Sequence, residues 1–234
     1  MAKTLYKRSL PSTSIAFSSR EGRQLFAEAM ESNGMEGYFP LVEQFHTQSD
    51  PAYCGLGSLV MALNALAIDP ERQWKGVWRW FADDMLDCCL PLGTIREQGL
   101  SIDQLACLAR CNRAEVTLVR ANEMNLAAWR IALGIAAGGD AVVIASYDRG
   151  ALEQTGSGHF SPIGGYHRLR DLVLIFDVAR FKYPPHWVPA ERLWQAMQEG
   201  DPATGQSRGW LALRKGASLN THGLIDGCNL ESAA

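Results

Sequence analysis

No stretch of the chain stays apolar for the about 18 residues that a membrane-spanning helix requires, and Asp140 interrupts the longest candidate. The basic opening, residues 1–14, lacks the continuous apolar segment of a signal peptide. Charge of one sign is missing as well. The 22 Lys and Arg are set against 25 Asp and Glu, a formal net charge of −3, with no clustered basic stripe. Nucleic acid and anionic membrane therefore have no electrostatic footprint to bind. There is no Pro/Gly/Ser linker, no internal repeat and no low-complexity tract to divide the chain. Cysteine is sparse, six in 234 residues, and a chain of this length with 47% apolar residues can bury a core without disulfide staples. These absences predict a cytoplasmic, single-domain protein with reduced thiols and a small-molecule or protein partner, with a homodimer left open.

What is present divides into two halves. Ser18 and Glu21 have capping-box spacing ahead of Leu25, Phe26 and Met30, predicting a helix over 21–32. Asp50-Pro51 opens a second helix running to Ala67, with Cys54 in its first turn. Trp74, Val77, Trp78, Trp80 and Phe81 have the spacing of a third, short one. Ser101 and Gln104 form another capping box before L-A-C-L-A-R-C, a helix that places Cys107 and Cys111 on one face. A strand over 115–120 and a helix over 126–137 precede the Gly138-Gly139 break. Beyond it the period changes, with strands over 141–147, 159–166, 172–178 and 210–213 and a helix over 190–198. The expected class is α+β, a helical lobe over about 1–112 and a mostly antiparallel sheet lobe over about 113–220.

The segment T-Q-S-D-P-A-Y-C-G-L carries the most chemistry. A thiol at a helix N-terminus is favoured as thiolate by the unsatisfied N–H groups and the positive end of the helix dipole. Gly55 leaves room for a carbonyl to approach, and Gln48 could donate its amide to an oxyanion together with the Cys54 backbone N–H. A nucleophile needs a base, and the base an orienting group. His159 lies in G-S-G-H-F-S-P-I-G-G-Y, and Asp177 is the one acid in L-V-L-I-F-D-V-A. If residues 166 and 172 flank a hairpin centred near Arg168, then His159 and Asp177 are cross-strand neighbours. Taken singly, a buried cysteine is more often inert core, Asp177 a satisfied buried acid and His159 a turn or core residue. The order Gln, Cys, His, Asp, helix first and strands later, is that of a papain-like pair of lobes.

The remaining thiols read otherwise. Cys88-Cys89 and Cys107-x3-Cys111 could clip a soft metal if the two pairs met, but adjacent cysteines suit a tetrahedral site poorly. The favoured reading places Cys107 and Cys111 on a buried helix face. His46, His167 and His186 read as surface or turn residues, and His222 is uninformative.

Five segments in order, T-Q-S-D-P-A-Y-C-G-L-G-S-L, W-K-G-V-W-R-W-F, M-L-D-C-C, Q-T-G-S-G-H-F-S-P-I-G-G-Y and D-V-A-R-F-K-Y-P-P-H-W-V-P, make residues 5–215 resemble the catalytic domain of plant-type phytochelatin synthases. The resemblance implies a papain-like fold and a γ-glutamylcysteine dipeptidyl transpeptidase acting on glutathione. Cys54, His159 and Asp177 match the family's triad and Gln48 its oxyanion donor. Glycine would leave, and the γ-Glu-Cys acyl group would pass to the amine of a second glutathione or a phytochelatin. No organic cofactor is implied. Cd2+ or Zn2+ would activate mainly as the metal-bis-glutathione thiolate substrate. Arg149, Arg180, Lys182 and Tyr183 match positions linked to that second substrate, with an ion pair at a strand end as the alternative for Arg180; Gly55 and Gly164 complete the expected substrate contacts. The Cys-rich C-terminal region of plant-type members is expected to be absent. The alternatives are a glutathione or glutathione-conjugate carboxypeptidase, a metal- or thiol-sensing module using Cys88, Cys89, Cys107 and Cys111, and last a proteinase.

Overall fold

In A-V-V-I-A-S-Y, residues 141–147, every position is apolar or small, as a strand buried on both faces must be. The computed structural model describes residues 7–216, so Cys228 and His222 lie outside the described residues. In it this run forms β3 (Val142–Asp148), inside a seven-stranded antiparallel sheet. The other strands are β1 (Ile15–Ala16), β2 (Ala114–Arg120), β4 (Gly158–His167), β5 (Leu172–Ile175), β6 (His186–Pro189) and β7 (Gly209–Lys215), in the order β1-β6-β5-β4-β3-β7-β2. Alternate side chains go to opposite faces. Val142 and Ile144 join a core with α1 (Arg20–Glu31), α3 (Cys54–Ala65) and α5 (Ile102–Cys111), whereas Val143, Ala145 and Tyr147 join a second core under α6 (Leu126–Ala137) and α7 (Ala190–Gln198). The α+β class holds, with helices on both faces of the sheet. Among the described residues no helix is long and apolar enough to cross a membrane.

Helix entry follows capping chemistry, with two adjustments. The cap of α1 is Ser19, whose Oγ accepts from the Gly22 N–H at 2.9 Å, so the expected Ser18–Glu21 pair is one residue out. Asp50-Pro51 makes a turn before α3: the Tyr53 N–H donates to the Asp50 carbonyl at 3.0 Å, and the Asp50 carboxylate accepts from the Ala52 N–H at 3.0 Å. The helix proper therefore starts at Cys54. The reciprocal box at Ser101 and Gln104 is present as expected.

The expected helix over 74–81 does not form. The Trp74 N–H meets the Trp78 carbonyl at 2.8 Å around Gly76, whose φ of +56° closes a turn. Trp78 is 70% exposed and Val77 79%, and only Phe81 enters the core, its backbone held in both directions by the Asn64 amide. Helical spacing without a surface to bury the stripe does not make a helix. Short elements escaped the sequence reading: α2 (Tyr38–Val42), α4 (Leu92–Gln98) and β6, which starts just after Pro185 and ends on Pro189. His167 and His186 are buried, contrary to the surface or turn reading, because each meets a polar partner inside: Glu28 for His167, and Gln154 with the Pro184 carbonyl for His186.

Candidate active site

Cys54 is the first residue of α3, and its cap residue Tyr53 makes no side-chain cap bond, so the helix N-terminal amides remain for a ligand at the sulfur. One turn on, the Ser58 hydroxyl donates to the Phe160 carbonyl at 3.1 Å, which fixes α3 against β4 next to His159. The Cys54 thiol lies beside the His159 imidazole, whose charge and hydrogen-bonding capacity favour the thiolate. The Nε2 of that ring meets Asp177 Oδ1 at 3.0 Å, leaving Nδ1 for the sulfur. The Tyr147 ring stands edge-on to His159, centroids 5.8 Å apart, and fixes its plane from β3.

The order anticipated in the sequence thus becomes one contiguous cluster, by a different route from the expected ladder. Tyr166 pairs with Val173 and His167 with Leu172, but the register slips between Ile163 and Gly165 and β5 ends at Ile175. Asp177 lies past the strand and reaches His159 through its side chain. Fully buried, it accepts from His159, from Arg149 Nη2 at 2.9 and 2.7 Å to its two oxygens, and from the Ala179 N–H at 2.9 Å. Burial pushes this carboxyl up, yet the His159 and Arg149 charges outweigh it and hold it well below the usual carboxylate range. Burial likewise pushes the Cys54 thiol up, and His159, the Phe160 backbone and Arg149 together bring it below its ordinary value. Burial and Arg149 push His159 down, while Asp177 and Cys54 prevail and raise it. Low thiol and high imidazole together favour a thiolate–imidazolium pair.

Other expected roles change. A Cβ at Gly55 would meet Leu100 Cδ1 at 3.0 Å and Phe160 Cδ2 at 3.4 Å, so this glycine faces the core and serves helix packing rather than substrate access. Gly164 sits beneath the Phe176 ring, where a Cβ would come within 3.0 Å, and is likewise a packing residue at the bulge. Gln48 is buried, and its Nε2 donates to the Asp50 and Pro51 carbonyls at 2.8 and 2.9 Å, while its Oε1 has no partner. Both amide hydrogens are therefore committed to the turn before Cys54, and donation to an oxyanion requires one of them to swing.

The four residues expected at a second substrate separate by depth. Arg149 and Tyr183 are buried, the guanidinium 5.2 Å over the Tyr183 ring and bonded to Asp177, so neither presents a free polar group to solvent. Lys182 is half-buried, with Nζ donating to the Thr155 carbonyl at 3.0 Å. Arg180 is exposed, 4.8 Å over the Phe45 ring. Nearby, His46 pairs with Asp83 at 3.4 Å, and that acid accepts from the Ser49 hydroxyl and N–H. The sequence reading missed Tyr147 and this His46–Asp83 pair; no motif marks either.

Of the thiols away from Cys54, three meet, and the buried Cys107 is not among them. The sulfurs of Cys88, Cys89 and Cys111 lie within 4.8 Å of one another, with Cys88 and Cys111 joined as a disulfide, which corrects the expectation that every thiol is reduced. Cys111 is exposed at the end of α5 while Cys107 is buried, so the two do not share a buried face. The Asn112 amide donates to Cys88 Sγ at 3.6 Å.

Comparison with known proteins yields one family. A family model described as phytochelatin synthase matches residues 5–210. The chain is 54% identical over 213 residues to glutathione gamma-glutamylcysteinyltransferase 3 of Lotus japonicus, covering 90% of this chain and 44% of that protein. It is 50% identical over 214 residues to transferase 1 of that name from Arabidopsis thaliana, covering 91% and 44%. It is 41% identical over 214 residues to the Schizosaccharomyces pombe transferase, covering 91% and 52%. The chain spans about half the length of these relatives.

Proposed function

Because the chain belongs to the phytochelatin synthase family, we propose that it transfers the γ-glutamylcysteinyl group of one glutathione to the amine of another, or of a phytochelatin, in the cytoplasm. The observation that carries this is the contact of a helix-terminal thiol with an imidazole whose far nitrogen is held by a buried carboxylate. The Cys54 thiolate attacks the carbonyl carbon of the Cys–Gly amide. The oxyanion forms at the N-terminus of α3, near the Cys54 N–H and the Gln48 amide once that amide gives up one carbonyl. His159 gives its proton to the departing glycine nitrogen, and the C–N bond breaks to leave a thioester. The incoming α-amine attacks that carbonyl, His159 takes up its proton, and the new amide releases Cys54. Asp177 holds the ring orientation through both steps.

The acceptor is anionic, and Arg180 with Lys182 beside the acid supplies cations on the solvent side. A metal-bridged pair of glutathiones is the acceptor substrate in this reading. On the protein, Cys88, Cys89 and Cys111 offer the soft donors suited to Cd2+ or Zn2+, and only with the Cys88–Cys111 bond reduced. The test is mass spectrometry of thiol products after incubation with glutathione and Cd2+. It should yield glycine and (γ-Glu-Cys)n-Gly oligomers, all lost in Cys54→Ala and retained in the Cys88→Ser/Cys111→Ser double variant if the ion acts as substrate. Glycine with free γ-Glu-Cys and no oligomer would make the chain a carboxypeptidase. Full activity in Cys54→Ala would rule out Cys54 as the nucleophile, and a wild type that forms no product yet responds to Cd2+ unchanged in Cys54→Ala would favour a thiol-sensing module.

A further inference from the structure

We propose that Gln154 and His186 are positioning residues that aim Arg149 at Asp177 and so set the geometry of the Cys54–His159 pair. A chain of hydrogen bonds runs inward from β6. His186 Nδ1 meets the Pro184 carbonyl at 2.8 Å, His186 Nε2 meets Gln154 Nε2 at 2.9 Å, and Gln154 Oε1 meets Arg149 Nη1 at 2.6 Å. The other guanidinium nitrogen, Nη2, spans both oxygens of Asp177, and Asp177 Oδ1 meets His159. All five side chains are at most 5% exposed.

Every link has one allowed polarity. A carbonyl can only accept, so His186 carries its proton on Nδ1 and offers a lone pair at Nε2. The Gln154 NH2 must face that lone pair, which turns Oε1 to Arg149, and a guanidinium can only donate. Flipping the amide would set NH2 against guanidinium and oxygen against lone pair. Protonating His186 would set N–H against NH2, and burial pushes this imidazole down, away from that state. The array is thus defined outward to a backbone carbonyl, and buried polar groups left unpaired at any link are costly.

The backbone around it is clamped in the same direction. The Gln154 N–H donates to the Arg149 carbonyl at 2.9 Å, and the Thr155 N–H to the Tyr183 hydroxyl at 2.8 Å. Gly156, at φ +115°, lies where a Cβ would come within 3.3 Å of Arg149 Cδ. The loop leading to His159 is therefore fastened to the segment leading to β6, and β6 in turn to β5, where His186 pairs with Ile175. Without Gln154, Arg149 keeps its charge but loses one of the two anchors that fix its angle on Asp177. A shift of about 1 Å in such a site costs up to about 100-fold in rate.

The proposal rests on the transferase reading for its kinetic arm only, because alkylation of Cys54 needs no substrate. The charged and titratable groups whose charge acts on the sulfur are His159 on β4 and, farther off, Arg149 after β3 and Tyr147 on β3, with Asp177 behind the imidazole. Gln154→Leu should lower kcat for glycine release about 10- to 100-fold while KM for glutathione changes less than about threefold. It should also move the pH midpoint of Cys54 alkylation by iodoacetamide upward by about half a unit or more, because Arg149 favours the thiolate. Gln154→Glu keeps an acceptor for Arg149 but sets an oxygen against the His186 lone pair, so it should recover part of the lost kcat and not all of it. A folded Gln154→Leu protein with unchanged kcat and midpoint overturns the proposal, as does a rate loss with an unmoved midpoint. Should Gln154→Leu not fold, the same two readouts on His186→Phe decide in the same way. Should the wild type release no glycine, the midpoint alone decides, and the failure then belongs to the transferase reading.

Discussion

The interior behind Cys54 and the margin carrying Trp74, Trp78, Cys88 and Cys111 hold the same kinds of side chain, thiols, aromatics and charges, in opposite relation to solvent. Behind Cys54, His159, Arg149 and Asp177 are buried, and Asp177 accepts hydrogen bonds from both cations. At the margin, Trp78 and Cys88 are exposed, and the ion pairs Arg72–Asp87 and Arg79–Asp69 are solvated. Chemical capability does not distinguish the two regions. What does is whether neighbours fix one geometry, since a paired charge in the interior is held far more firmly than one in water.

The largest break in that contrast comes from the centre of the interior. Asp177→Asn leaves the Arg149 charge buried and uncompensated, so urea unfolding at pH 7 should show about 3–5 kcal/mol less stability. Glycine release should fall by about 100-fold or more as His159 loses its orienting charge. The pH dependence has a definite sign. Asp177 in the folded protein lies below its unfolded value of about 3.9, so its contribution is complete above that value and is lost as the pH falls through the folded one. The gap between wild type and variant should hold from pH 7 to about 5 and close only in acid. A gap already closing at pH 6 would mean that Asp177 is not held by Arg149 and His159.

A middle-sized effect tests the pairing at the thiol. Iodoacetamide labelling of the Cys54 peptide, followed by mass spectrometry across pH, should have its midpoint below the ordinary thiol value of about 8.5. Replacing the imidazole in His159→Ala should raise that midpoint by about a unit or more, because the cation that favours the thiolate is gone while the burial that opposes it remains. An unmoved midpoint would break the proposed thiolate–imidazolium pair.

The two regions were also unequally legible in the sequence. Cys54, His159 and Asp177 could be read because each sits in a setting that a purely structural residue would not need: a helix entry, a glycine approach, a lone acid in an apolar run. Strands over 141–147 and 159–166 were legible from apolar runs, and α6 and α7 from their 3.6 period. The depth of the site was not. That Gly55 and Gly164 pack rather than admit substrate depends on Leu100, Phe160 and Phe176, which are far in sequence or on other elements. The bulge between Ile163 and Gly165, which decides how Asp177 reaches His159, leaves no mark beyond two adjacent glycines. Cys88 meets Cys111 only through the placement of α5, and spacing alone had assigned Cys111 to the interior.

The margin gives the smallest expected effect. Trp74, Val77, Trp78 and Phe81 have helical spacing, and on periodicity alone Trp78 would be core, where truncation of a tryptophan costs about 3–5 kcal/mol. In the folded chain Trp78 is 70% exposed, and what holds it is backbone: its N–H donates to the Lys75 carbonyl at 3.0 Å and its own carbonyl accepts from Trp74. Serine at 78 leaves both bonds in place. Trp78→Ser should therefore change the urea midpoint by no more than the equivalent of about 0.5 kcal/mol and leave glycine release at the wild-type rate. A loss of several kcal/mol would mean that the exposed tryptophan packs against something in solution, and the margin would then be as constrained as the interior behind Cys54.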